Sequence, residues 1–236
     1  NKKNDDTWRR KRRLVSLNMV NLIVIPARAG SKRLIKKNIR LFCGEPLIAW
    51  TIKMAKDIPN SLVVVSSDSE EILSISREYG ATTPFIRPAQ LAQDNVSAVE
   101  VLRHSVKELD FHGNVVLLQP TSPLRTLEDI NKGLSIIKHN KATMSIAKYV
   151  HNSLLATFSV PGEKFIPISN KKKYIYVPNG AFYAAHSDWL ELNNSFYTDE
   201  VVTFEMPLER SIDIDYEFQF ITAESIFQLN KKVDLK

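Results

Sequence analysis

The sequence holds a single cysteine and no long apolar run. Cys43 stands alone among 236 residues, which excludes an intramolecular disulfide and a zinc site built from several cysteines. No stretch approaches the roughly 20 apolar residues that a membrane helix needs. The five histidines lack zinc-site spacing, and no serine lies in a G-x-S-x-G motif. These absences favour a protein of a reducing compartment, and we expect a cytoplasmic location.

Net positive charge is scarce outside the N-terminal residues. The formal net charge is +6, but residues 1–18 hold seven lysines and arginines against two aspartates, which leaves about +1 for the rest. We expect residues 1–18 to be a basic, solvated extension that contacts nucleic acid at most nonspecifically. Translation is expected to start at residue 1 or at Met19. The segment 9–29 imitates a secretory signal, but Asn18 and Asn21 interrupt its apolar run. Residues 19–236 are therefore expected to form one domain without a general affinity for polyanions.

Apolar runs alternate with segments of helical spacing along most of the chain. Strands are predicted at 22–26, 62–66 and 115–119, each apolar throughout, as is typical of strands covered on both faces. Helices are predicted at 46–56, 70–79, 96–109 and 127–139. The pattern predicts an α/β domain of three layers with a mainly parallel sheet.

The pattern changes in the second half of the chain. Residues 148–178 contain only short apolar runs and many residues that favour turns, which predicts a lobe that protrudes from the sheet. The chain then returns at 179–185 and 200–206, and a last helix is predicted from about 217 to 229.

A basic loop follows the first predicted strand, "IPARAGSKRLIKKN" at 25–38. It contains neither a Walker A motif nor a G-x-G-x-x-G motif. Gly30 and Ser31 offer backbone N–H groups that suit an anion, and cations lie on both sides of them: Arg28, Lys32, Arg33, Lys36 and Lys37. Such a loop would meet a triphosphate and the charge that develops as pyrophosphate leaves. The alternative is a solvated basic turn, and we expect Arg33 and Lys36 to be solvated surface in either case.

A polar turn follows the third predicted strand, "LLQPTSPLRT" at 117–126. Its polar side chains offer hydrogen-bonding groups at the mouth of the sheet: Gln119, Thr121, Ser122 and Arg125. Since ligands of open α/β sheets bind beyond the carboxyl ends of the strands, these groups are candidates for ligand contact. The alternative is a plain strand-to-helix turn in which Thr126 caps the next helix, and both interpretations can hold together. Asp68, after the second strand, is equally a candidate ligand contact or a helix cap.

Two acidic residues alternate in "ERSIDIDYEF" at 209–218. In an extended segment Asp213 and Asp215 project from one face, while Ile212 and Ile214 face the core. Paired carboxylates can hold a hard cation such as Mg²⁺ together with substrate phosphate. An exposed edge strand with alternating acids is the alternative.

Seven segments, taken in order, resemble the CMP-sialic acid synthetases, or acylneuraminate cytidylyltransferases, of the neuraminic or legionaminic type. They are "IPARAGSKRLIKKNI", "GEPLIAWTI", "VVVSSDSEEI", "RPAQLAQDN", "LLQPTSPLRT", "PNGAFY" and "SIDID", and they cover roughly 22–229. The resemblance implies a nucleotidyltransferase that couples CTP with a nonulosonic acid to give a CMP-sugar and pyrophosphate, for surface polysaccharide or glycan biosynthesis. It also implies a Rossmann-like sheet of the nucleotide-diphospho-sugar transferase type, Mg²⁺ dependence, and a homodimer in which the lobe 148–178 contributes to the interface and the sugar site.

The resemblance assigns roles residue by residue. Catalysis is implied for Arg28, Lys32, Lys37 and Asp215. Contacts with the nucleotide and its phosphates are implied for Arg28, Ser31, Lys32, Asn38, Arg87, Ser97 and Asn179. Gln119, Thr121 and Ser122 would face the sugar, and Asp213 and Asp215 would hold Mg²⁺.

The sequence departs from the family pattern near the lobe. Ser153 and Leu155 stand where the family often has proline and a sugar-contacting lysine, and Val177 stands where arginine is usual. These changes leave the identity of the sugar open. They also leave room for a catalytically weak homologue that binds a nucleotide or a sugar. A Kdo-type sugar nucleotidyltransferase is a further alternative, against which the segments "QPTSPLR" and "PNGA" argue.

Overall fold

The computed structural model describes residues 21–149 and 175–234, and side chains up to residue 230. The predictions for residues 1–18, for Met19, for Ser153 and Leu155, and for most of the lobe lie outside these ranges. The strands are β1 (Asn21–Pro26), β2 (Leu41–Phe42), β3 (Glu45–Pro46), β4 (Ser61–Ser66), β5 (Asn114–Leu117), β6 (Ala142–Tyr149), β7 (Ile175–His186) and β8 (Val201–Met206). The α-helices are α1 (Leu47–Lys56), α2 (Glu70–Glu78), α3 (Ala98–Leu109), α4 (Leu127–Ile137), α5 (Ser187–Leu192) and α6 (Glu217–Asp234).

Six strands form one sheet in the order β4-β1-β5-β7-β6-β8. β1 pairs in parallel with β4 and β5, and β6 pairs in parallel with β8. Only β7 runs antiparallel to its neighbours within this sheet. The predicted α/β class with a mainly parallel sheet is therefore confirmed.

The two faces of the sheet bury separate apolar clusters, because successive side chains of a strand point to opposite faces. Ile23 and Ile25 of β1 pack with residues of α1, α2 and α4 on one face. Leu22 and Val24 pack with residues of α3 and α5 on the other face. Helices therefore cover both sides of the central strands, which gives the predicted three layers.

A third apolar cluster lies beside the sheet and joins α6 to the loop after β1. Phe42 and Phe220 meet edge to face at 5.5 Å between ring centroids. Leu34 of the basic loop and Ile214 of the acidic segment belong to the same cluster, and both are buried. This packing holds two segments close together that are far apart in the sequence.

One strand of the six-stranded sheet was missed from the sequence and another was predicted too short, and the short pair β2 and β3 was not predicted. β6 contains Thr143 and Ser145, both fully buried, so its apolar run is interrupted. β7 begins at Ile175, four residues before the predicted segment, and Tyr149 pairs with Ile175 beyond a register shift in the ladder. The two ends of the predicted lobe are thus strand residues of the sheet, and Val177 lies among them, opposite Ala147.

The order of the strands creates a crevice between β1 and β5. After β1 the chain passes through α1 to β4 on one side of β1, and then through α2 and α3 to β5 on the other side. Ligands of such sheets bind where the strand order reverses, outside the carboxyl ends of the strands. Among the described residues, no helix has the length and the apolar character needed to cross a membrane.

Candidate functional site

A pocket lies at the carboxyl ends of β1 and β5. Six residues with predicted contacts line it: Arg28, Asn38, Arg87, Ser97, Gln119 and Thr121. They come from well-separated segments, namely the loop after β1, the stretch that leads to α3, and the turn after β5. The fold therefore brings most of the predicted nucleotide and sugar contacts to one place.

The basic loop is held by hydrogen bonds to its backbone. The N–H of Ala29 donates to Oδ1 of Asp68 at 2.9 Å, and Nδ2 of the buried Asn38 donates to the carbonyl of Arg28 at 3.1 Å. Ser69, not Asp68, caps α2 by accepting from the N–H of Ile72. Asp68 therefore supports the loop, and the cap role considered for it is wrong.

Gly30 does not adopt the left-handed conformation that an anion nest requires. Within 21–149 and 175–234, the glycines of positive φ are Gly44, Gly80, Gly113 and Gly180. The N–H of Ser31 donates to the carbonyl of Ala29 at 2.9 Å. A phosphate contact through Ser31 stays a prediction.

Asp94 pairs with two cations of the loop. Its Oδ1 lies 2.6 Å from Nη2 of Arg28, and its Oδ2 lies 2.6 Å from Nζ of Lys32. Hydrogen bonds from Lys32 and Arg28 lower the pKa of Asp94. Sequence reasoning missed this residue, because its pairing depends on the fold and not on a local pattern.

Arg87 is buried in the wall of the pocket with unused donors. The residue is 4% exposed, and its Nε and Nη2 atoms have no hydrogen-bond partner in the described part of the chain. Burial lowers the pKa of Arg87; Asp68 opposes the shift and Arg28 adds to it. Buried N–H donors are costly when unpaired, so this guanidinium would gain most from an anionic or carbonyl oxygen in the pocket.

Ser97 is the N-cap residue of α3 and lines the pocket. Its hydroxyl accepts from the N–H of Glu100 at 3.2 Å, and its own N–H donates to Oε2 of Glu100 at 2.8 Å. This capping box starts the helix. The N-terminus of α3, with its partial positive charge, therefore lies at the pocket.

The turn after β5 is fixed by a buried arginine. Arg125 donates to the carbonyls of Ala181 and Gln119, both at 2.8 Å, and to Oγ1 of Thr51 at 2.7 Å. Burial lowers the pKa of Arg125 to about 9, against the opposing charges of Asp129 and Asp213, so the guanidinium remains charged at neutral pH. Arg125 thus holds the backbone behind the pocket and is itself not among the side chains that line it.

The neighbours of Arg125 divide between ligand-facing and structural positions. Gln119 and Thr121 line the pocket. Ser122 is fully buried, and its hydroxyl has no partner among the described residues. Thr126 caps α4 by accepting from the N–H of Asp129 at 3.3 Å, as predicted.

The acidic segment is irregular backbone and not an edge strand. Its N–H at Ile214 donates to the carbonyl of Thr121 at 2.8 Å, and the Ile214 side chain is fully buried, as predicted. Burial raises the pKa of Asp213; a hydrogen bond from Thr121 opposes the shift, and the charge of Asp215 adds to it. The segment thus carries a partly buried carboxylate, Asp213, close to the more exposed Asp215.

Lys37 joins the basic loop to the acidic segment. Its Nζ lies 2.9 Å from Oδ1 of Asp215 and donates to the carbonyl of Ile214 at 2.6 Å. On the other side, Nη1 of Arg33 lies 2.9 Å from Oδ2 of Asp215, and its guanidinium lies over the ring of Tyr216. Arg33 is 58% exposed, as expected of solvated surface, but it also holds an ion pair with Asp215 that the sequence did not indicate.

Two carboxylates side by side suit a hard divalent cation, since Mg²⁺ is usually bound through one or two carboxylates plus substrate phosphates. Within the described ranges, the chain has no cluster of three or more histidine, cysteine, aspartate or glutamate side chains that could hold a metal. A Mg²⁺ site at Asp213 and Asp215 therefore stays a prediction.

Gly180 lies where only glycine is tolerated. Its φ is +72°, and a Cβ there would lie 2.7 Å from Oε1 of Gln119 and 3.1 Å from Oδ2 of Asp213. The lack of a side chain lets the backbone of β7 approach both groups. Sequence reasoning took Asn179 from the same "PNGAFY" motif and missed Gly180.

Asn179 is occupied by contacts within the protein. Its Oδ1 accepts from the hydroxyl of Ser145 at 2.5 Å, and its Nδ2 donates to Oγ of Ser211 at 2.9 Å. It is buried and lines a second cavity, which it shares with Asp213 and Phe218. A nucleotide contact through Asn179 stays a prediction.

Residues 22–235 match a family model described as cytidylyltransferase, so the chain belongs to the cytidylyltransferase family and is a nucleotidyltransferase by class. It is 35% identical to CMP-N,N'-diacetyllegionaminic acid synthase of Legionella pneumophila, over 89% of this chain and 97% of that protein. It is 30% identical to pseudaminic acid cytidylyltransferase of Campylobacter jejuni, over 90% and 98%. It is 32% identical to N-acylneuraminate cytidylyltransferase of Escherichia coli over 91% of its own length, but spans only 54% of that protein. The predicted family is confirmed.

Solved structures share the fold at low identity. One is a CMP-2-keto-3-deoxy-manno-octonic acid synthetase, with a TM-score of 0.66 and 16% identity over 89% of this chain and 99% of that one. Another is a 4-diphosphocytidyl-2C-methyl-D-erythritol synthase from Anaerococcus prevotii, with a TM-score of 0.65 and 14% identity over 91% and 99%. These likenesses support the fold class and carry no further conclusion.

Proposed function

We propose that this cytidylyltransferase couples CTP with a nonulosonic acid to give a CMP-sugar and pyrophosphate, for glycan biosynthesis in the cytoplasm. The relatives at 30% to 35% identity are named for legionaminic, acylneuraminic and pseudaminic acids, all of this chemical class. The observation that carries the proposal is the gathering of six predicted contacts, from three separate segments, around one pocket beside a cationic loop and a carboxylate pair.

The proposed reaction is a displacement at phosphorus. The anomeric hydroxyl oxygen of the sugar bonds to the α-phosphorus of CTP, and the bond from that phosphorus to the bridging oxygen of pyrophosphate breaks. Pyrophosphate leaves with the electron pair, and the hydroxyl proton passes to a base, a role we give to Asp215. Arg28, Lys32 and Lys37 stabilise the charge that grows on the leaving group.

The pocket supplies the remaining contacts of the proposal. Arg87 has buried N–H donors available for the nucleotide, and Asn38 and Ser97 line the same pocket. Gln119 and Thr121 face the sugar from the turn after β5. Ser31, Ser122 and Asn179 are retained as proposed contacts with less structural support, since each is buried or already hydrogen-bonded within the protein.

Asp213 and Asp215 would hold Mg²⁺, which supplies charge neutralisation on the phosphates. The burial that raises the pKa of Asp213, together with the nearby charge of Asp215, supports this role, because a divalent cation would offset both. We also propose a homodimer, as the family resemblance implies.

The test measures pyrophosphate release from CTP against a panel of nonulosonic acids and Kdo, with Mg²⁺ and with the metal chelated. Release is expected only with a nonulosonic acid and Mg²⁺. Asp215→Ala is expected to lower kcat by about 100-fold or more, whereas Asp110→Asn, which removes the charge of an exposed acid at the C-terminal end of α3 and keeps a residue that tolerates its positive φ, serves as the control.

Three results would contradict parts of the proposal. A preference for Kdo would move the substrate to the eight-carbon acids. CTP binding without turnover on any acid of the panel would indicate a binding homologue. Full activity of a folded Asp215→Ala variant would remove Asp215 from the site.

A further inference from the structure

Asp94 bridges two segments across the mouth of the pocket. Asp94 follows the 3-10 helix Ala89–Ala92, on the wall opposite the loop after β1. Its carboxylate pairs with Arg28 and Lys32 of that loop, each at 2.6 Å. Nη1 of Arg28 also lies 3.5 Å from the carbonyl of Ala92. We call these two ion pairs the Asp94 bridge.

The donors of the Asp94 bridge are the cations assigned to the triphosphate. A carboxylate and a phosphate use the same N–H groups of Arg28 and Lys32, so the two anions compete for them. The three side chains are 35%, 79% and 51% exposed for Arg28, Lys32 and Asp94. Ion pairs exposed to this extent are weak and exchange readily, so a polyphosphate with its larger charge can displace the carboxylate.

We propose that the Asp94 carboxylate competes with the polyphosphate for Arg28 and Lys32. The carboxylate thereby weakens the binding of the polyphosphate, and it pairs with the two cations again as pyrophosphate leaves. Such a competitor lowers affinity for substrate and product alike and promotes release of the product. The inference rests on the proposed function in one respect, namely that Arg28 and Lys32 hold the phosphates.

The opposite role for Asp94 gives an effect of opposite sign. If the carboxylate served only to position Arg28 and Lys32 for the phosphates, its loss would free the loop and weaken polyphosphate binding. If it competes with the phosphates, its loss strengthens binding. The direction of the change in affinity therefore decides between the two roles.

The experiment measures the dissociation constants of inorganic tripolyphosphate and of pyrophosphate by calorimetry, in the unaltered chain and in Asp94→Asn. The asparagine keeps the shape and removes the charge. We expect both anions to bind about 3- to 10-fold more tightly to Asp94→Asn, since two exposed ion pairs are lost as competitors.

Asp110→Asn is the matched control. Asp110 is also exposed, loses the same charge, and lies at the C-terminal end of α3 with a positive φ that asparagine tolerates. The affinity of the Asp110→Asn variant for tripolyphosphate is expected to stay within about twofold of that of the unaltered chain, because salt screens the charge of Asp110 from the pocket. A gain in affinity of the same size in Asp110→Asn would assign the effect to net charge and overturn the proposal.

A second variant tests whether Lys32 is one of the cations for which Asp94 and the polyphosphate compete. In a Lys32→Ala background one of the two contested donors is absent, so the gain from Asp94→Asn is expected to shrink. Unchanged or weaker binding in Asp94→Asn, or no detectable binding of tripolyphosphate to any variant, would overturn the proposal. The probes contain neither cytidine nor sugar, so a failure of the proposed sugar specificity leaves this result unaffected.

Discussion

At the scale of single residues, the site differs from its sequence-based description chiefly at Asp215. That carboxylate lies between two cations of one loop, Lys37 and Arg33. The Lys37 side chain is only 13% exposed and also holds the backbone of Ile214, whereas that of Arg33 is 58% exposed. Lys37 therefore fixes the acidic segment, and Arg33 adds a weaker, outer contact that orients the carboxylate.

The first prediction compares two cations of the basic loop. Arg33→Asn is expected to lower kcat/KM for the CTP reaction by about 5- to 10-fold, because one charge-assisted hydrogen bond to Asp215 is lost. Lys36→Asn is expected to stay within about twofold, because Lys36 pairs with Glu71 on the surface of α2.

The two substitutions form a matched pair. Both remove one positive charge from the same loop, and asparagine tolerates the left-handed conformation of Lys36, whose φ is 53°. Steady-state kinetics with CTP as the varied substrate would measure the difference. Equal losses in the two variants would show that the loop acts through its total charge and that Arg33 has no special contact.

At the scale of elements, an ion pair between Arg210 and Asp129 helps to position the acidic segment from its N-terminal side. Arg210 donates to both oxygens of Asp129 at 2.9 and 2.8 Å, and Asp129 completes the capping box of α4 with Thr126. Asp129 is 4% exposed. The pair thus ties the N-terminus of α4 to the 3-10 helix Leu208–Arg210, directly before the residues of the site.

The second prediction concerns the pH dependence of stability. Burial alone would raise the pKa of Asp129, but hydrogen bonds from Arg210 and Thr126 outweigh it, so the folded pKa lies below the ordinary value. The contribution of this group to stability is therefore complete above the unfolded pKa of about 4 and is lost as pH falls through the folded pKa.

Arg210→Ala is expected to lower the free energy of unfolding by about 3 kcal/mol at pH 7, because it leaves a buried carboxylate without its partner. The deficit should shrink as pH falls, because burial without Arg210 raises the pKa of Asp129 and the variant then relieves its unpaired charge by taking up a proton. Urea unfolding at a series of pH values would measure the deficit.

Arg77→Ala, which breaks an exposed ion pair with Glu70, is the control and should lower the free energy of unfolding by less than about 1 kcal/mol. A deficit that is the same at all pH values would contradict the role of the Asp129 charge.

Whether an element could be predicted depended on where its polar groups find partners. Helices with apolar spacing, such as α3 and α4, were predicted within a few residues. β6 was not, since Ser145 looks like a break in an apolar run. Its hydroxyl in fact donates to Asn179 of β7, a partner that exists only in the folded sheet.

At the scale of the whole molecule, the order of the strands explains why a site could be predicted at all. Loops that follow parallel strands meet at one edge, so motifs after β1 and β5 could be assigned to one pocket from the sequence. The residues that were missed, Asp94 and Gly180, act through contacts between segments that have no sequence signature. Gly180 is favoured by its positive φ and by the approach of Gln119 and Asp213, and both depend on the fold.

The distribution of charge over the chain separates two sources of anion binding. The cationic loop at the pocket is largely paired with Asp94 and Asp215. Residues 1–18, which lie outside the described ranges, carry a net charge of about +5 from seven cations and two aspartates. We therefore expect the pocket to take a specific anion, and any general affinity for polyanions to belong to the N-terminal residues.

The third prediction tests this separation. Deleting residues 1–18 is expected to lower the affinity for duplex DNA at low salt by at least about tenfold and to flatten its salt dependence, because the phosphate contacts of that segment are lost. Pyrophosphate release from CTP should remain within about twofold. A full-length variant with glutamine at Arg9, Arg10, Arg12 and Arg13 controls for chain length and should behave like the deletion in DNA binding. Unchanged DNA affinity after deletion would place the polyanion contact on the folded domain, whose small net charge would then have to be unevenly distributed over its surface.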